Sequence, residues 1–172
     1  MKILQGLWKA IEAVARFFLI KVFRLKLSEE QIQGFLQFVK FGLVGLSNTV
    51  VSYLIYLGAL FLFEGLGILP KIDYLVAQVI AFILSVLWSF FWNNKFVFKK
   101  DEDEHRNPWA ALAKTYVSYA FTGLFLNTIL SYIWVDLLGV SKLIAPIINL
   151  LVSVPINFFL NKLWAFKSDK KQ

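Results

Sequence analysis

Four stretches of this sequence, at roughly 38–63, 72–96, 112–138 and 142–165, are each longer than 18 residues and predominantly apolar. At about 1.5 Å rise per residue, a helix of some 20 apolar residues crosses a hydrocarbon core about 30 Å thick. Of the 172 residues 59% are hydrophobic, 18 are Phe, and a soluble domain of this size has no interior large enough to hide them. The chain therefore reads as an all-α integral membrane protein with four transmembrane helices.

Charge then orients it. Sixteen of the eighteen Lys and Arg fall in residues 1–40, in the segment around 95–114 or at the C-terminal end, and only Lys71 and Lys142 lie in the other two loops. Positive loops stay on the cytoplasmic side, so a multi-pass plasma-membrane protein with both termini cytoplasmic is expected. The net charge of +7 belongs to these loops, and nucleic acid is not an expected partner. With no Cys there are no disulfides and no thiolate chemistry.

Residues 1–34 precede the spans. Ile3, Leu7, Ile11, Val14, Phe18, Val22 and Leu25 step by three or four, with Lys2, Lys9 and Arg16 on the other side. That pattern predicts an amphipathic helix in the inner interface among anionic membrane lipids. It serves either as an anchor or as a dock for a partner enzyme. Between the second and third spans, Asp101 to Glu104 and His105 read as a solvated charge cluster, and Pro108–Trp109 as a helix start.

The second and fourth spans end alike: "SFFWNNKFVFK" from Ser89 matches "NFFLNKLWAFK" from Asn157. The first and third spans share "NTVVSYLIYL" from Asn48 and "NTILSYIWVD" from Asn127. The chain is thus a duplicated two-helix hairpin, repeat 1 over about 35–100 and repeat 2 over about 108–168. An even number of spans per repeat makes the two copies parallel, related by an axis along the membrane normal.

Polar side chains in hydrocarbon are costly, so their placement is informative. Ala81, Ser85, Ser89 and Asn93 step by four, as do Asn149, Ser153, Asn157 and Asn161. The first span offers Asn48 and Ser52, the third Gly123, Asn127 and Ser131. Helix-packing hydrogen bonds account for any one of these residues. The set suggests a polar seam, because Asn93–Asn94–Lys95 and Asn161–Lys162 end two of the rows, while Lys40 and Lys114 start the other helices. Lysines here either snorkel to the interface or cradle an anionic headgroup. No phosphate loop, metal-ligand cluster or nucleophile–histidine pair is present, so no catalytic activity and no cofactor or metal are expected. Glu64 and Asp136 lie near the outer ends, leaving no carboxylate at mid-depth for a proton-coupled exporter.

Over about 35–168, the first-span "FVKFGLVGLSNTVVSYLIY" and the two Phe-Phe-x-Asn endings resemble the GtrA family of small four-helix membrane proteins. The resemblance implies translocation of a polyprenyl-phosphate-linked sugar for teichoic acid or other envelope polysaccharide, beside a partner glycosyltransferase. It points to Lys40, Asn48, Asn93, Lys95, Asn157, Asn161 and Lys162 as headgroup contacts, to which the polar rows add Asn94 and Asn127. The chain departs from the family at Ser52, where relatives often carry an acid, at Asn93–Asn94–Lys95–Phe96, and at Pro146. Two other functions fit the residues: a non-transporting accessory subunit of a glycosyltransferase, and a small-solute exporter. Four helices are few to enclose a headgroup path, which makes a homodimer reasonable. Residues 169–172 form a short tail.

Overall fold

A computed structural model describes residues 2–100, 104–141 and 144–170, without the side chains of 2–5, 146, 169 and 170. Most of the acidic run (Asp101, Glu102 and Asp103), together with Lys142 and Lys171, lies outside the described residues. Residues 1–40 and 41–172 form two compact units.

In the first unit, helix α1 covers Lys2–Arg16 and continues as a wider π-helical turn over Phe17–Val22. It stops at Arg24, whose φ of 52° lies in the left-handed region that breaks a helix. Leu7 and Val14 on its apolar side and Phe23 just past its end are 59%, 56% and 64% exposed. Arg16 donates to Glu12 at 3.0 Å and, through both terminal nitrogens, to Glu29. Hydrogen bonds to Glu29 and then Glu12 hold its pKa above the ordinary guanidinium value.

Helix α2 runs over Glu29–Leu66, starting well before the apolar stretch does. The reason is a capping box: Gln31 N donates to Ser28 Oγ (3.2 Å) while Ser28 N donates to Gln31 Oε1 (2.9 Å). Its far end closes on Gly67 (φ 64°), with Ile68 N donating to Phe63 O and Gly67 N to Glu64 O, a Schellman ending that needs the left-handed residue.

The second unit holds the rest of α2 and four more helices: α3 (Asp73–Trp92), α4 (Pro108–Ala120), α5 (Asn127–Tyr132) and α6 (Ala145–Leu160). π-helical turns follow α3 (Asn93–Val97), α4 (Phe121–Leu126), α5 (Ile133–Leu137) and α6 (Asn161–Ala165). These turns carry α4 on into α5, giving four helices long and apolar enough to cross a membrane: Glu29–Leu66, Asp73–Val97, Pro108–Leu137 and Ile147–Ala165. The protein is thus an all-helical, multi-pass membrane protein. A two-residue antiparallel pairing of Glu104–His105 with Asp169–Lys170 joins the inter-repeat loop to the C-terminal end.

Leu46, Phe61, Leu124 and Leu151, 65–72% exposed, mark faces suited to lipid. The buried faces of α3 and α4 carry many small residues: Ala77, Ala81, Ser85 and Ser89 on α3 and Ala111, Thr115 and Ser118 on α4 are all buried. Asn107 caps α4 through Oδ1, which accepts from Trp109 N (3.0 Å) and Ala110 N (3.2 Å), with Pro108 at the first helical position. Asn107→Ala should cost about 1 kcal/mol. The check is faster amide exchange confined to the first turn of α4; unchanged exchange there would remove the cap's role.

Candidate functional site

The two rows read from the sequence are buried stripes in the folded chain. Ser85, Ser89 and Asn93 are 3%, 0% and 0% exposed, and Asn149, Ser153, Asn157 and Asn161 are 5%, 7%, 8% and 0% exposed. Position by position, Ala81, Ser85, Ser89 and Asn93 correspond to Asn149, Ser153, Asn157 and Asn161. The correspondence extends to the backbone. Phe98 N donates to Asn93 O and Phe166 N to Asn161 O, each 2.8 Å and each spanning five residues, so both helices end in the same π-helical turn.

The amide nitrogens are engaged. Asn93 Nδ2 donates to Ser89 Oγ (3.1 Å), which itself pairs with the Tyr119 hydroxyl (2.7 Å). Asn161 Nδ2 donates to both Asn157 O (2.8 Å) and Asn157 Oδ1 (3.1 Å). Asn149 Nδ2 donates to Ser131 Oγ (2.7 Å) and Asn127 O (3.3 Å). Among the described residues, the amide oxygens of Asn48, Asn93, Asn127, Asn149 and Asn161 are buried and receive no donor. A buried acceptor left without a donor costs about 1–3 kcal/mol, so five of them are expensive. Each of these oxygens is an acceptor, and what suits it is a donor.

At the end of the rows, Phe41, Phe98, Phe158 and Phe166 pack together, Phe98 stacking on Phe166 at 4.8 Å between centroids and Phe41 meeting Phe158 at 5.5 Å. Lys95 Nζ sits 5.3 Å from the Phe91 ring centre, and Lys162 Nζ 5.6 Å from that of Phe158. Lys114 Nζ reaches Trp164 O at 3.4 Å. The repeat does not duplicate its lysine: Asn94 stands at the place of Lys162, and Leu163 at that of Lys95. In the first unit, Lys40 Nζ lies 4.4 Å above the Trp8 ring.

The structure thus places Asn93, Asn157 and Asn161 inside the second unit and Lys95 and Lys162 at the ends of their helices. Asn48 and Asn127 contribute buried oxygens from the other two spans. Asn94 is taken up elsewhere: its Oδ1 accepts from Arg106 Nη2 at 2.5 Å. Arg106 was counted in the sequence only as a loop charge, yet it also donates to Phe98 O (2.9 Å) and Phe166 O (2.8 Å) and lies over the Phe166 ring. It fastens the endings of both repeats together. Half-buried, it has its pKa lowered by desolvation, against a smaller favourable effect of Glu104. Tyr119 was also missed. Neither had a legible signal, because each acts on residues distant in sequence.

Residues 40–166 match the GtrA/DPMS transmembrane domain. The chain is 32% identical over 145 residues to the dolichol-phosphate mannosyltransferase of Pyrococcus furiosus, covering 84% of this chain and 37% of that enzyme. It is 29% identical over 101 residues to the cell wall teichoic acid glycosylation protein GtcA of Listeria monocytogenes, covering 57% of this chain and 67% of that protein. A duplicated hairpin with paired buried rows, matched over most of its length, makes this chain a member of the GtrA/DPMS transmembrane domain family.

Proposed function

We propose that the protein moves a polyprenyl-phosphate-linked sugar across a bacterial plasma membrane, with both termini cytoplasmic, for glycosylation of a cell-envelope polymer. The observation that carries the reading is the duplicated stripe. In each repeat a buried polar row runs along a lipid-bathed helix and ends in a fully buried Asn beside a lysine-bearing end. A phosphate would meet Lys95 and Lys162, while the tail stays in lipid. Charge-assisted hydrogen bonds of about 1.5–3 kcal/mol each make such a grip effective. Similarity to a teichoic acid glycosylation protein agrees with this role. Residues 35–168 would be the working domain, with residues 1–34 as an interfacial anchor.

The test is a leaflet-resolved assay of polyprenyl-phosphate-hexose in proteoliposomes. Wild type should equilibrate the lipid faster than empty vesicles, and the Lys95→Ala/Lys162→Ala protein at least tenfold more slowly than wild type. Equal rates for wild type and empty vesicles would overturn translocation. A second reading, an accessory subunit that presents lipid to a glycosyltransferase, is favoured by one fact: the chain matches about a third of the length of a mannosyltransferase. Stable co-purification with such an enzyme, without lipid movement, would support it.

A further inference from the structure

The duplication also isolates what the two repeats do not share. Asn127, Thr128, Ser131 and Tyr132 of the third span correspond to Asn48, Thr49, Ser52 and Tyr53 of the first. Two residues around this set have apolar counterparts: Asp136 stands where repeat 1 has Leu57, and Asn149 where it has Ala81. Both differences fall at one place. A pocket of about 600 Å³ is lined by polar Asn127, Thr128, Ser131, Tyr132 and Asp136 and apolar Val135 from the third span, and by Ala145 from the start of α6. That volume lies in the range of about 300–1,000 Å³ typical of small-molecule sites. The pocket lies toward the ends of these two helices away from Lys114 and Lys162.

The polar atoms define what fits. Asn127 Oδ1 is buried and receives no donor among the described residues. Behind the lining, Asn149 is 95% buried (5% exposed) and pins the floor by donating to Ser131 Oγ and Asn127 O. Thr128 spends its proton on Leu124 O (2.6 Å) and so presents only lone pairs. Asp136, exposed at the rim, adds two carboxylate acceptors. The hydroxyls of Ser131 and Tyr132 supply donors. The wall is largely apolar, and its few polar atoms are mostly acceptors with a negative rim, which repels phosphate and carboxylate but suits a ring that carries O–H groups above an apolar C–H face. No cluster of three His, Cys, Asp or Glu exists among the described residues to hold a divalent ion.

We propose that this pocket is a second binding site, specific to repeat 2, that takes the hydroxyl-bearing ring of a neutral sugar. Asn127 and Asp136 accept from its hydroxyls, and Asn149 acts as a positioning residue. The inference rests on the lipid-linked-sugar reading only for where that sugar comes from.

The experiment measures binding of methyl glycosides of neutral hexoses to the full chain in lipid nanodiscs, by equilibrium methods. Asp136→Leu and Asn149→Ala install the residues repeat 1 already carries, and Asp136→Asn keeps the shape while removing charge. Each variant is first required to unfold at the wild-type temperature within a few degrees. A tenfold or greater loss of hexoside affinity in D136L and N149A, with sugarless polyprenyl phosphate bound as by wild type, supports the site. Unchanged hexoside affinity in D136L, D136N and N149A overturns it, as does wild type binding no hexoside or binding only Na⁺. Hexoside binding by a wild type that moves no lipid-linked sugar would leave this site standing and remove translocation instead.

Discussion

Arg106→Ala is expected to lower the unfolding free energy by about 3 kcal/mol. The guanidinium donates to Asn94 Oδ1, Phe98 O and Phe166 O at 2.5–2.9 Å. Bonds to a charged donor contribute about 1.5–3 kcal/mol each when buried. Arg106 is only half-buried, so water recovers part of that sum. Arg106→Lys should recover little, since one ammonium cannot reach three acceptors that a planar fork meets together. Unfolding of both variants in one micelle system is the check, and a loss below about 1 kcal/mol would show that the two repeat endings hold together without the fork. Amide exchange should also rise together at Phe98 and Phe166, whose amides close the two π-helical turns.

Asn161→Asp should be worse, by about 3–5 kcal/mol at neutral pH, the cost of an uncompensated buried charge. Asn161 is fully buried, and its Nδ2 serves two acceptors on Asn157 that a carboxylate would instead repel. The sign of the pH dependence follows. Burial favours the neutral carboxyl in the folded chain, whereas the unfolded carboxyl ionises near pH 4. The folded state therefore binds the extra proton, and the variant's deficit should widen as pH rises from about 4 to 7. Asn161→Leu removes the orphan Oδ1 along with the nitrogen and should cost much less. A stable leucine variant that no longer moves lipid would assign the Asn161 amide to function. Equal stability of the aspartate and leucine variants at pH 7 would sink the argument.

Much of the fold was legible because membrane crossing is a one-dimensional problem. Length and hydropathy place four helices, and the repeated "FF" endings reveal the duplication before any contact is known. Ser28 with Gln31, and Asn107 with Pro108, are local signals that set helix starts, and the first moves the start of α2 ahead of its apolar run. The rows Ser85–Ser89–Asn93 and Ser153–Asn157–Asn161 follow from helical spacing alone.

What the sequence by itself determined, then, is which side of each helix is polar, since the 3.6-residue period fixes that without a partner. Only the tertiary structure decided which atoms on those sides are already satisfied. The nitrogen of Asn149 is engaged by Ser131 and Asn127, and the oxygen of Asn94 by Arg106, across gaps of 18, 22 and 12 residues. A hydrogen bond depends on ångström-scale placement of two helices against each other, and residue spacing along one chain carries no such information. The same holds for Asp136: in the sequence it is a stray acid near a helix end, and in the fold it is the rim of a pocket, at a position where repeat 1 carries Leu57.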